Sequence, residues 1–325
     1  MIVFGLPPHE RLSRAIARSL RARVGRVERR VFSDGERYVR PVTSVRGQDV
    51  TVIANTGPTS DALVDLLILL HALHASGARS IVLAIPYLAY ARQDRSDRPQ
   101  ASVTIALLAR LLETAGADRI VLVDPHSDAA VRAFRVPVRI IDPLPEIVQS
   151  RALDNFCLSP SSRGGAGGGV RGTRVGGALR AVIAAPDAGA RDRAQRLARL
   201  LGARDVVVLR KGRPRPNVAR VAALTPADQR RVAGRPVVLV DDIIDTAGTI
   251  TAAAQRLRAA GATHIAILAT HAVLSGPAID RLRRARIDRI VVSDSLPLPR
   301  RSPWRRRALR VVSIATSLTK TLRTP

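Results

Sequence analysis

Short apolar runs alternate along this chain with longer amphipathic stretches. The runs, rich in Val, Ile, Leu and Ala, predict strands at 49–54, 80–85, 119–123, 181–185, 205–209, 236–240, 264–269 and 289–292. Between them the helical period predicts helices at 59–76, 104–115, 192–201 and 249–260. Strands that take turns with helices are the mark of βαβ units and of a parallel sheet. Several helices end at a glycine just before the next strand: Gly77, Gly116, Gly202 and Gly261. A glycine there fits the left-handed residue that closes a helix.

The pattern also repeats itself. VRGQDVTVIANTGPTSDAL at 45–63 lines up with VAGRPVVLVDDIIDTAGTI at 232–250. The helices that follow lead into GARSIVLAIP at 77–86 and GATHIAILAT at 261–270, then DRIVLVD at 118–124 and DRIVVSD at 288–294. The blocks keep their order at offsets of 187, 184 and 170 residues. Two similar α/β domains, related by duplication, are expected. The loop after the matched strand differs, ANTGPTSD in the first copy and DDIIDTAGT in the second. Only the second keeps an acidic loop, so the copies have different tasks.

Composition narrows the class. A chain of 325 residues suits two domains of ordinary size. Hydrophobic residues make up 46% and aromatics 2%, so the cores are aliphatic. One cysteine, Cys157, excludes an internal disulfide framework and a CxxC metal knuckle. No apolar stretch approaches the ~20 residues of a membrane span. The opening MIVFGLPPHERLSR lacks the basic start and apolar core of a secretory signal. A cytoplasmic protein with no membrane partner is expected.

The formal net charge is +27, yet only Lys211 and Lys320 among the 53 basic residues are lysines. The arginines are spread along the chain, and aromatic platforms for stacking bases are nearly absent. The charge therefore predicts a surface that attracts small polyphosphates, not a specific nucleic-acid site. The segment SPSSRGGAGGGVRGTRVGG at 159–177 reads as a flexible insert. It contains GxGxxG at Gly167, Gly169 and Gly172, but no strand feeds it, so it is no dinucleotide fingerprint.

The strongest chemical signal is VVLVDDIIDTAGTI at 237–250. An apolar strand runs into Asp241 and Asp242, then a tight loop of Asp245, Thr246, Ala247, Gly248 and Thr249, then a helix. Backbone N–H groups and hydroxyls at such a turn form an anion cup, helped by the helix dipole. Adjacent carboxylates suit vicinal sugar hydroxyls or a hydrated Mg²⁺. A ligand offering both a phosphate and a diol is a ribose phosphate.

This loop resembles the ribose-phosphate loop of type I phosphoribosyltransferases and of ribose-phosphate pyrophosphokinases. FSDGE at 32–36, PYLAYARQDR at 86–95, VDPHSD at 123–128, APDAGARDRA at 185–194, KGRPRPN at 211–217 and THAVLSG at 270–276 resemble the pyrophosphokinase family in order and spacing. The similarity reaches from the N-terminus to about Leu298. It implies two similar type I phosphoribosyltransferase-like domains, each a mainly parallel sheet flanked by helices. An ATP-binding domain is expected at 1–145 and a ribose 5-phosphate-binding domain at 146–300, with a Gly-rich insert at 159–179 and a basic C-terminal segment at 301–325.

The resemblance implies transfer of a diphosphoryl group from ATP to ribose 5-phosphate. It makes Lys211 and Arg213 catalytic residues on a mobile flap. It assigns Arg92, Gln93 and His126 to ATP, and His126 and Asp187 to Mg²⁺. Asp34, Gly35 and Glu36 match a loop that reads the adenine of ATP on a neighbouring subunit, which implies a homo-oligomer. Asp241, Asp242 and the Asp245–Thr249 loop, with Arg213, take the ribose phosphate. A phosphoribosyltransferase and a silent regulatory paralogue of the synthetases remain the alternatives. Departures from the family pattern are Ala247 in place of the usual glycine, Gly212 between Lys211 and Arg213, and a loosely matching chain beyond Leu298.

Overall fold

The computed structural model describes residues 1–157, 180–209, 211–215, 218–221, 224–298 and 308–323. These form two compact units: Met1–Pro143, Ser295–Pro297 and Ser313–Pro325 in the first, Leu144–Asp294 and Leu298–Val312 in the second. The expected Gly-rich insert lies outside the described residues.

The first unit opens with β1 (Ile2–Gly5), α1 (Glu10–Leu20) and β2 (Arg23–Val24), followed by a hairpin of β3 (Val27–Val31) and β4 (Arg37–Pro41). It continues through β5 (Asp49–Ile53), α2 (Ser60–Ala75), β6 (Ser80–Ile85), α3 (Thr104–Thr114), β7 (Arg119–Val123), α4 (Asp128–Arg132) and β8 (Val138–Ile141). Its main sheet has the order β2-β1-β5-β6-β7-β8, with every neighbour parallel. The antiparallel β3–β4 ladder is a separate sheet.

The second unit begins with α5 (Leu144–Gln149), α6 (Asp154–Cys157), β9 (Val182–Ala185), α7 (Arg191–Leu201) and β10 (Val206–Val208). A hairpin of β11 (Lys211–Arg215) and β12 (Val218–Val221) comes next, then α8 (Pro226–Val232), β13 (Val237–Ile244), α9 (Gly248–Ala259), β14 (Ile265–Ala272), α10 (Ala278–Arg284), β15 (Arg289–Ser293) and β16 (Leu309–Val312). The sheet order is β10-β9-β13-β14-β15-β16, again all parallel. The two orders coincide strand for strand, and each unit inserts its hairpin at the same place in the chain. The repeat seen in the sequence is thus a repeat of topology.

Parallel strands covered on both faces need apolar residues at every position, not at alternate ones. All eight residues of β14 are buried. Leu66, Leu69, Leu70 and Leu73 close α2 onto the first sheet with no exposed surface. Gly77, Gly116, Gly202 and Gly261 all take positive φ after their helices, as expected. Among the described residues, no helix is long and apolar enough to cross a membrane.

The expected C-terminal segment is not one element. β16 forms the edge of the second sheet, whereas the last helix, α11 (Ala315–Arg323), belongs to the first unit and packs on α1. Ile314 and Leu318 are fully buried there in a cluster with Val3, Leu12, Ile16 and Ala17. The helix after the first sheet makes the reverse move. α5 belongs to the second unit and packs on α7, which occupies the place that α1 holds in the first.

Candidate active site

In the second unit the acidic loop stands at the carboxyl end of β13, where parallel α/β sheets present their ligand sites. The strand runs past the expected end at 240: Asp241 still pairs with Ala269, and Ile243 with His271. The long partner β14 keeps the ladder going, so Asp241 and Asp242 lie on the strand itself and not in the loop. Successive strand residues face opposite ways. The Asp242 N–H turns back to donate to Asp241 Oδ1 at 3.0 Å. Burial, with the charges of Asp242 and Asp187 close by, pushes the Asp241 carboxyl well above the usual carboxylate range.

Asp187 follows the end of the neighbouring strand β9 and accepts from the Gly189 N–H at 2.9 Å, capping a short 3₁₀ turn. Asp187, Asp241 and Asp242 thus gather oxygen donors at one end of the sheet. Among the described residues, no group of three His, Cys, Asp or Glu side chains is placed to hold a metal ion.

The cup itself turns on Ala247, which is buried and left-handed at φ 60° before the first turn of α9. A Cβ in that region costs roughly 1–2 kcal/mol, so this residue is held there by its surroundings. The Thr251 hydroxyl donates to the Ala247 carbonyl at 2.6 Å. Arg281 Nη1, from α10, donates to the Thr246 carbonyl at 3.0 Å, and the Ser275 hydroxyl donates to Asp245 Oδ1. Ser275 and Arg281 brace this loop, and the sequence reading does not identify either. Ser275 falls within the THAVLSG motif, which offered a signal without a role; Arg281 is one arginine among many.

Lys211 and Arg213 lie on β11, whose backbone pairs antiparallel with β12: Lys211 opposite Val221 and Gly212 opposite Arg220. The register shifts between Gly212 and Arg215, so Arg213 falls at an irregularity of the ladder. Asn217, the end of the KGRPRPN motif, lies outside the described residues.

In the first unit the corresponding loop after β5 has no acidic cup. Asn55 and Thr56 are buried and committed to the fold. Asn55 Nδ2 donates to the Ser295 carbonyl at 3.0 Å and its Oδ1 accepts from the Tyr87 N–H at 2.8 Å, while the Thr56 hydroxyl accepts from the Ala89 N–H at 2.8 Å. The exposed candidates are on other loops. Arg92 and Gln93 follow β6 and His126 follows β7, all at carboxyl ends of strands. The Ser127 hydroxyl donates to Asp94 Oδ2 at 2.5 Å, which ties these two loops together beside His126. The Thr104 hydroxyl holds Gln93 Oε1 at 2.6 Å.

Asp34, Gly35 and Glu36 form the exposed tip between β3 and β4. Asp34 Oδ1 accepts from the Glu36 N–H at 2.9 Å, and Gly35 takes φ 94° to close the turn. No Cβ-bearing residue adopts that angle readily.

A twice-built parallel sheet with an acid- and hydroxyl-rich cup in only one copy defines a class, the double type I phosphoribosyltransferase-like proteins. Residues 1–116 match the N-terminal domain of ribose phosphate pyrophosphokinase, and residues 226–324 match the phosphoribosyl synthetase-associated domain. The second match continues past Leu298, where the motif resemblance ends. The ribose-phosphate pyrophosphokinase of Bacillus caldolyticus is 36% identical over 91% of this chain and 86% of its own length. That of Listeria ivanovii is 38% identical over 91% and 86%. The crystal structure of phosphoribosylpyrophosphate synthetase from Mycobacterium smegmatis superposes with a TM-score of 0.82 at 32% identity, covering 99% of this chain and 97% of that one. The chain belongs to the ribose-phosphate pyrophosphokinase family of enzymes.

Proposed function

We propose that this enzyme transfers the diphosphoryl group of ATP to the anomeric hydroxyl of ribose 5-phosphate, giving 5-phosphoribosyl 1-diphosphate and AMP. The observation that carries the reading is the asymmetry between equivalent loops: an acidic cup after β13, and a loop locked into the fold after β5. One unit is equipped for the sugar phosphate and the other for the nucleotide.

The 5-phosphate would lie against the N–H groups and hydroxyls of Asp245–Thr249, at the N-terminus of α9. Asp241 and Asp242 would take the ring hydroxyls. The anomeric oxygen then bonds to the β-phosphorus as the α–β bridge breaks, AMP leaves, and the hydroxyl proton is lost. Such transfer needs in-line positioning and charge neutralisation more than covalent help. Lys211 and Arg213, on the β11–β12 hairpin, would supply positive charge to the moving group and exclude water. Arg92, Gln93 and His126 would hold ATP phosphates and base, with Asp34, Gly35 and Glu36 reading the adenine on a neighbouring subunit of a cytoplasmic homo-oligomer.

Asp187, with the Asp241–Asp242 pair beside it, and His126 in the other unit are the proposed Mg²⁺ positions. A partial set of carboxylate oxygens suits this ion, which keeps several waters and completes its shell with substrate phosphates. When bound, Mg²⁺ supplies neutralisation of the phosphate charge.

Purified enzyme given Mg²⁺, ATP and ribose 5-phosphate should release AMP in step with the new diphosphate. Consumption of 5-phosphoribosyl 1-diphosphate with a base, independent of ATP, would identify a phosphoribosyltransferase instead. A folded homo-oligomer without turnover would identify a silent paralogue.

Two further outcomes test the site. Asp245→Asn should weaken apparent affinity for ribose 5-phosphate about ten- to a hundredfold, the usual loss for one charged hydrogen-bond partner of about 1.5–3 kcal/mol. Unchanged affinity removes Asp245 from the sugar site. For the shared adenine site, inactive Glu36→Ala and Lys211→Ala chains should recover turnover when their subunits are exchanged. Confirmed mixing without recovery means that each chain builds its own site.

A further inference from the structure

The β3–β4 hairpin stands apart from the main sheet, and its two strands converge on one carboxylate. Asp65, on α2, is only 3% exposed. Arg37 of β4 forks onto it, with Nε to Oδ1 at 2.5 Å and Nη2 to Oδ2 at 2.6 Å. Arg29 of β3 adds Nη1 to Oδ2 at 3.2 Å, and Arg37 Nη1 also reaches Asp61 Oδ2 at 3.1 Å. Two-point contacts of this kind fix direction as well as distance.

The ladder carries that direction outward. Arg29 and Val39 are a directly opposed pair, and Val31 and Arg37 close the ladder at the tip. Val39 on the same face is buried in the core of the first unit. On the outer face Arg40 forks onto Glu28 Oε2 at 3.0 and 2.7 Å, and Arg30 pairs with the same carboxylate. A ladder stiffened on both faces moves as a body with its root, and its tip is the Asp34–Gly35–Glu36 turn.

The matched helix of the second copy carries neither carboxylate. At the matched positions, 187 residues on, Asp61 is replaced by Gly248 and Asp65 by Ala252. α9, the helix matched to α2, carries no carboxylate, whereas α2 carries both Asp61 and Asp65.

We infer that Asp65 is a positioning residue for nucleotide binding: by holding Arg29 and Arg37 it sets the angle at which the hairpin tip meets the adenine of ATP on a neighbouring subunit. The inference rests on the adenine-reading role proposed above for the tip. Breaking a buried pair also destabilises the protein, so the test separates aim from fold.

In the full-length oligomer, Asp65→Asn should raise KM for ATP about tenfold with kcat changed far less, since a small misplacement far from the chemistry weakens engagement. KM for ribose 5-phosphate should stay unchanged. Asp65→Glu, which keeps the fork, should restore most of the loss. If Asp65→Asn does not fold, Arg37→Lys carries the same test, because an ammonium keeps the charge without the fork.

Asp34→Ala distinguishes the two levels of the argument. If it raises KM for ATP while the clamp variants leave it alone, the clamp is merely structural and the inference fails by itself. If Asp34→Ala also leaves KM for ATP unchanged, the tip does not read adenine and both readings fall. A fall in activity that follows the folded fraction, with both KM values constant, likewise overturns the clamp.

Discussion

Lys211→Arg is expected to lower turnover at least about tenfold while ATP affinity barely changes, and Lys211→Ala by about 10²–10³. The expectation begins with the chain's own usage. Of 53 cationic side chains, 51 are arginine, so a position that needs only positive charge is spelled Arg here, as at Arg213. Position 211 is spelled Lys. Its backbone opens β11, beside the register shift that follows Gly212. A compact ammonium can follow one oxygen of a moving diphosphoryl group, whereas a guanidinium is planar and prefers forked contacts. Electrostatic groups that act mainly in the transition state change kcat more than binding. The matched control is Lys320→Arg on the exposed side of α11, which should leave turnover unaltered. Near-normal kcat for Lys211→Arg means that charge alone suffices at this position.

Leu318→Ala is expected to lower the stability of the first unit by ~2–5 kcal/mol, the range for truncating a fully buried leucine. Leu318 lies far in sequence from β1, yet it shares a cluster with Val3, Leu12 and Ile16. Arg323 donates to the Ser19 carbonyl and Arg139 to the Thr321 carbonyl at 3.4 Å, so polar contacts flank the apolar one. Two units need not unfold together, and hydrogen exchange read at the amides of β1 and α1 is therefore the proper measure. Faster exchange there, with β14 amides unaffected, is the expected result. Unchanged protection of α1 would show that α11 adds nothing to this core.

The elements legible in the sequence are those at the centre of each sheet. The strands at 80–85 and 119–123 match β6 and β7 residue for residue, because a doubly covered parallel strand reads as a nearly continuous apolar run. Edges and hairpins carry a weaker pattern. β3 reads VERRV and β11 reads KGRPR, which no hydrophobic period marks as strands. β16 and α11 were hidden behind the arginine-rich opening of this segment, although the stretch 308–318, ALRVVSIATSL, is largely apolar.

The candidate site shows the same division. Asp241, Asp242 and the 245–249 loop are contiguous, so their grouping could be read from the chain alone. The braces from Ser275 and Arg281, and the Asp65 clamp, join residues far apart in sequence, and such pairs leave no local trace. Ala247 was visible as an alanine at the turn between strand and helix. Its left-handed backbone was not, since alanine seldom adopts that region.

The exchanged end helices bear on how the chain is made. α1 waits for a cover that lies in Ser313–Pro325, about 170 residues after the first unit's main segment ends at Pro143. At ~5–20 residues per second, a ribosome needs roughly 10–30 s to deliver it. During that interval the first sheet is complete but the Leu12–Ile16 face of α1 is bare. The N-terminal half therefore leaves the exit tunnel with part of its core uncovered, and that core closes only when the last helix has been synthesised.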